Sequence, residues 1–135
     1  MAFTGNFTCN SFKSGLIDGD FDFDTDTFKI ALYTNSASLN AETAAYTTRG
    51  EVVGSGYTAG GNTLTVSKGI TGGTAFITFT DTSWSAAITA RGALIYKDGG
   101  ATVCVLDFGS DKTSTTTFTV DFPVASSTDA LIRLS

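Results

Sequence analysis

The side chains able to do chemistry in this chain are carboxylates and little else. There is no histidine, and there are only two cysteines, Cys9 and Cys104. A nucleophile activated by imidazole is therefore excluded, and so is a closed zinc site of four Cys or His ligands. The densest acidic run is Asp18-Gly19-Asp20-Phe21-Asp22-Phe23-Asp24-Thr25-Asp26, with a carboxylate at every second position. Oxygen ligands at that density suit Ca2+. The EF-hand pattern fails, however. Counted from Asp20, the sixth position is Thr25 rather than Gly and the twelfth is Ala31 rather than Glu; counted from Asp18, the twelfth is Lys29. The expectation is an extended segment with Phe21 and Phe23 turned inward and the aspartates in water, guarding a strand edge. No bound metal is expected.

Glu42 and Glu51 are the only glutamates. Glycoside hydrolysis can run on two acids alone, but nothing in the spacing marks a pair. No enzymatic activity, catalytic residue or cofactor is expected. The stretch from Glu51 through Gly54-Ser55-Gly56-Tyr57 to Gly60-Gly61 is Gly-rich. It lacks the Gly-Lys-Ser/Thr ending of a phosphate-binding loop, and no helical pattern follows, so it reads as a surface turn. Tyr57 within it, and Trp84 after Asp81-Thr82-Ser83, are candidate protein-contact residues, because Tyr and Trp concentrate at interfaces. Core packing competes with that role at both positions, and sugar stacking is a further reading of Trp84. Cys9 and Cys104 read as buried small apolar residues, with a disulfide between them as the alternative.

These residues belong to a chain of 135 with 41% apolar content, eleven Phe and a net charge of −5. Such a length fits one domain, 1–135, with a real core. Charged residues are only 16% of the chain, against about 25% in a typical soluble domain. A surface so short of charge is covered by Ser, Thr and Gly or hidden against partner subunits. The eight basic residues are scattered, with no run or comb, so no direct nucleic-acid contact is expected. No stretch approaches a membrane span, and the opening residues lack the basic and apolar regions of a signal peptide. Synthesis in a cytoplasm is expected.

Period-two alternation dominates. Residues 27–34 place Phe28, Ile30 and Leu32 on one face and Lys29 and Tyr33 on the other, the mark of a half-buried strand. Further strands are expected at 62–68, 74–80, 88–97, 102–109, 116–122 and 130–134. The segments 88–97 and 102–109, joined by Lys97-Asp98-Gly99-Gly100-Ala101, form the best-marked hairpin. On that reading Ile95→Asp abolishes folding and Lys97→Glu is nearly silent. Asn10 or Ser11 caps a helix over 11–18 that turns Phe12, Leu16 and Ile17 inward, with Gly19 ending it. One more turn is expected near Asn40–Ala45. The fold class is mainly β: an antiparallel β-sandwich or barrel-like fold of about seven to eight strands with one short N-terminal helix.

Four segments carry a resemblance. The opening Met1-Ala2-Phe3-Thr4-Gly5-Asn6-Phe7-Thr8-Cys9-Asn10-Ser11-Phe12-Lys13, Thr27–Thr34, Gly54–Gly61 and Ala90–Tyr96 resemble a family of small virion proteins of tailed bacteriophages, cyanophages among them. The chain departs from it at Ser14-Gly15, where the family tends to have better helix formers. The resemblance implies a structural component of a phage particle, located in the virion. It points to a capsid cement or decoration protein that bridges shell subunits. Its partners would be the major capsid protein and copies of itself, a trimer being favoured. The alternative is a tail, neck or fibre-associated protein touching a host glycan through Trp84 or a tyrosine. Residues 1–10 would form an extended arm, which adds Phe3 and Phe7 to Tyr57 and Trp84 as candidate contacts.

Overall fold

A computed structural model describes residues 5–134. In chain order the elements are β1 (Phe7–Thr8), α1 (Asn10–Asp18), β2 (Phe28–Tyr33), β3 (Asn62–Leu64), β4 (Val66–Thr71), β5 (Thr74–Phe79), β6 (Thr82–Trp84), β7 (Thr89–Lys97), β8 (Thr102–Thr113), β9 (Phe118–Val120) and β10 (Ile132–Leu134). All strand pairs are antiparallel, and the architecture is β-sandwich-like, the first of the two forms expected, and not a closed barrel. The central sheet runs β1-β8-β7-β2-β3, with open edges at β1 and β3. Sheets β10-β5-β4 and β6-β9 accompany it.

Register explains why the central sheet is buried on both sides. Ile30 stands opposite Ile95, and Ile95 opposite Cys104; one residue along, Ala31 faces Leu94 and Leu94 faces Val105. Successive side chains leave opposite faces. The first row joins Phe12 of α1, Phe79 of β5, Trp84 of β6 and Phe118 of β9 in one core. The second joins Cys9, Tyr33, Leu39 and Tyr96 in another. β2 is therefore a central strand rather than a half-buried one, and the alternation of Phe28 with Lys29 holds only at its start. Each fully buried Ile, Leu or Phe here contributes roughly 1.5–3 kcal/mol.

The β7–β8 hairpin forms as expected, closed by the Lys97 N–H donating to the Ala101 carbonyl at 2.9 Å. Other boundaries move. The 62–68 segment splits into β3 and the start of β4, and β1 and β6 are additional strands. The helix begins at Asn10, with Cys9 rather than Asn10 or Ser11 at its N-cap and no side-chain cap bond. Ser11 instead bonds Thr102. Gly19 ends the helix in a left-handed conformation, as expected. Phe12 is buried, but Ile17 is 88% exposed, since i+5 lies off the inner face. Gly15 is there for space: a Cβ would lie 2.4 Å from the Phe21 ring.

The expected N-terminal arm is corrected over residues 5–10. Phe7 and Thr8 pair with Val105 and Cys104, the Asn6 side-chain oxygen accepts from the Asp107 N–H at 2.6 Å, and Cys9 is buried. Phe3 lies outside the described residues.

Residues 34–61, between β2 and β3, form a strap across the second face. Its fastenings reach α1, β8 and β2. The Asn10 N–H donates to the Ala41 carbonyl, the Thr102 hydroxyl to the Thr43 carbonyl, and the Val52 N–H to the Leu32 carbonyl. The expected turn at 40–45 is part of it, with the Asn40 side chain accepting from the Glu42 N–H. At its far end Gly61 has φ +78°, and a Cβ there would lie 1.7 Å from the Ile30 carbonyl oxygen. Only glycine fits.

Candidate functional site

Glu51 carries the densest polar cluster. It pairs with Tyr33 as an isolated bridge where the strap runs beside β2. Its carboxylate is buried and takes three donors: the Tyr46 hydroxyl on Oε1, and on Oε2 the Tyr57 hydroxyl at 2.6 Å and the Gly60 N–H at 2.8 Å. Tyr57 also accepts from the Leu32 N–H at 2.9 Å, satisfying a backbone donor that β3 no longer reaches. Tyr96 donates to the Gly60 carbonyl at 2.7 Å and stacks on Tyr46 at 4.8 Å, while Tyr33 donates to the Thr47 carbonyl at 2.6 Å. The chain has four tyrosines, and all four fasten this one region.

Tyr57 belongs to the first core and Tyr46 packs on the second. Glu51 is thus the point where the two cores are tied together. Burial first, and then the neighbouring carboxylate, pushes the Tyr57 and Tyr46 phenols far above their ordinary value. Burial and then the Glu51 charge push Tyr96 up to about 12. A phenol facing a carboxylate in a low-dielectric setting keeps its proton. The cluster therefore holds neutral donors on an acceptor, an arrangement for fixing a loop. Glu42, the other glutamate, is exposed on the 40–43 turn and has no hydrogen bond to Glu51.

The other expected site residues are placed as follows. Tyr57 is 8% exposed and Trp84 is 4% exposed. Both are core residues, 5.9 Å apart by ring centroids, and neither offers a ring to a partner or a sugar. The Trp84 indole N–H has no hydrogen-bond partner among the described residues. Phe7 is half-buried in β1. Cys9 and Cys104 are free thiols on opposite faces of the sheet, one in each core. Burial raises both above the ordinary thiol value, which keeps them unreactive.

The acidic run is a turn rather than an edge strand. Phe21 and Phe23 do pack inward, against Phe12 and Phe28. The aspartates bond their own loop: Asp22 accepts from the Asp24 N–H at 2.9 Å, and Asp26 accepts from the Asp22 N–H at 2.8 Å. The Asp24 N–H donating to it first, and then Thr25, hold the Asp22 carboxyl below the usual range. Lys68 reaches Asp24 at 3.0 Å and Lys97 reaches Asp26 at 3.2 Å. Among the described residues no group of three or more acids or thiols is placed to hold a metal ion.

Sequence reasoning missed the Glu51 cluster. The available signal was one glutamate, in a chain short of charge, preceding Val52-Val53 and a Gly-rich turn. Comparison with protein-family models, with curated proteins and with solved structures returned no match.

Proposed function

We propose that this chain is a structural component of a phage particle, a capsid cement or decoration protein that bridges neighbouring shell subunits and assembles with copies of itself. The observation that supports this reading is where the reactive groups lie. Glu51, both thiols, Trp84 and three of the four tyrosines are buried inside a two-faced β core. What the molecule offers outward is Ser, Thr, Gly, scattered charges such as Lys13, Glu42, Arg49 and the aspartates of the acidic turn, and single apolar side chains. The hairpin of β4 and β5 is exposed from Lys68 to Gly73 and carries Ile70 at 73% exposure. A rigid scaffold with such a surface suits repeated protein–protein contact, where many copies each binding weakly act together. The virion assignment itself rests on the sequence resemblance.

The test is copy number and heat resistance. Band densities of purified particles of the encoding virus should give hundreds of copies. Particles stripped of the protein should lose their DNA at a lower temperature than intact ones. Stripped shells that hold their DNA equally well would remove the cement role.

A further inference from the structure

Beside the Glu51 cluster the strap leaves an open depression of about 530 Å3, bounded on its other side by the β7–β8 turn. Register sets its floor. Lys29 stands opposite Tyr96 on adjacent strands, so both side chains leave the sheet on the second face. The strap lays Tyr46 on Tyr96, 22° from parallel. Both hydroxyls are tied down, Tyr46 to Glu51 and Tyr96 to the Gly60 carbonyl. The rings therefore form a platform that is already ordered, and a ligand need not bear the cost of fixing it. Asp98, Gly99 and Gly100 complete the rim, with Asp98 exposed.

The groups select a class of ligand. Lys29 and Asp98 carry opposite charges, so a phosphate meets a carboxylate and a cation meets an ammonium. A neutral molecule avoids both conflicts. It must also bring hydroxyls that can accept from Lys29 and donate to Asp98, and a ring-sized apolar face for the aromatic platform. A pyranose has all three properties. The volume falls within the roughly 300–1,000 Å3 of small-molecule sites. We propose that the depression between the strap and the β7–β8 turn binds a neutral saccharide, with Tyr46 as the platform and Lys29 and Asp98 as its hydrogen-bonding groups. The proposal goes beyond the virion reading and stands or falls without it.

Saturation-transfer NMR on the full chain, with glucose, galactose, mannose and N-acetylglucosamine as probes, tests it. At least one sugar should receive saturation, and its titration should move the amide signals of residues 29, 46, 60 and 96–100. Asp98 is exposed, so Asp98→Ala should keep the wild-type melting temperature while weakening binding roughly tenfold, the loss expected for one good hydrogen bond. Tyr46→Ala should abolish binding. Silence from all four sugars would overturn the proposal. So would signal changes confined to another surface, an Asp98→Ala protein that binds normally, or inorganic phosphate moving the same amides as strongly as the best sugar.

Discussion

The two faces of the central sheet are covered by different physics. The first face is closed by regular elements and by Phe: α1, β5, β6 and β9 bring Phe12, Phe79, Trp84 and Phe118 onto Phe28, Ile30 and Ile95. The second is closed by an irregular strap, with Ala37 and Leu39 as its apolar contacts and tyrosine hydroxyls around one glutamate as its fastening. Apolar burial is non-directional and tolerates small shifts. A hydrogen-bonded carboxylate fixes geometry but is costly when any partner is lost. The teaching is that one sheet can be held by bulk on one side and by aimed loops on the other, and the loop side carries the depression beside Glu51.

The largest effect should come from breaking the first face. Ile95 is fully buried between Ile30 and Cys104. Ile95→Asp leaves an unpaired carboxylate there, at several kcal/mol out of a typical total of about 5–15 kcal/mol. The variant should be insoluble or unfolded by circular dichroism. A folded variant would mean that this core does not carry the stability assigned to it.

Glu51→Leu should break the second face alone. Two phenols and the Gly60 N–H lose their acceptor, for about 3 kcal/mol, or a fall in Tm on the order of 10 °C. Hydrogen exchange should then quicken across residues 44–61 while β7 and β8 stay protected. Equal loss of protection in both regions would show that the faces are one cooperative unit and that the contrast drawn between them is false.

Alkali should act on the same face. Tyr96 is raised to about 12, and Tyr33, Tyr46 and Tyr57 are raised further. A group whose folded value exceeds its unfolded value of about 10 stabilises fully below pH 10. That contribution is lost as pH rises through the folded value. Tyrosinate absorbance should therefore stay low at pH 10–11 and rise together with unfolding above it. An ordinary phenol titration centred near pH 10 in folded protein would show the ring hydroxyls to be free.

How legible this was in the sequence differs between the faces. The first face was largely readable, because Phe28, Ile30, Leu32, Ile95 and Val103 lie in strands marked by their apolar pattern, and Gly19 and Asp98-Gly99-Gly100 mark their stops. The strap was not. Its residues have no period, its fastenings join positions far apart in sequence such as Thr43 with Thr102, and the Gly-rich neighbours of Tyr57 resemble an exposed turn, which leaves a contact role open beside core packing. β1 and β6, of two and three residues, are too short for alternation to register. Of the candidate contacts, Tyr57 and Trp84 were better described by the core-packing reading that competed with them.

The smallest effect sharpens the comparison at the margin of the first face. Alternation alone makes Lys97→Glu a silent surface change. The structure gives Lys97 three tasks: an ion pair with Asp26, a bond from its ammonium to the Asp20 carbonyl at 2.6 Å, and a position 5.9 Å from the centre of the Phe21 ring. Together these hold the acidic turn so that Phe21 and Phe23 cover Phe12 and Phe28. The Lys97 and Asp26 side chains are 30% and 21% exposed, whereas Lys68 and Asp24, in the neighbouring pair, are 43% and 74% exposed. Lys97→Glu should therefore cost about 1–2 kcal/mol, more than an open surface pair is worth. It should lower Tm by roughly 3–6 °C. Lys68→Glu should cost under about 0.5 kcal/mol. Matched thermal melts at low and high salt separate the two, since screening weakens exposed pairs more. If both reversals shift Tm equally, the acidic turn is a solvated loop that adds nothing to the Phe-lined face.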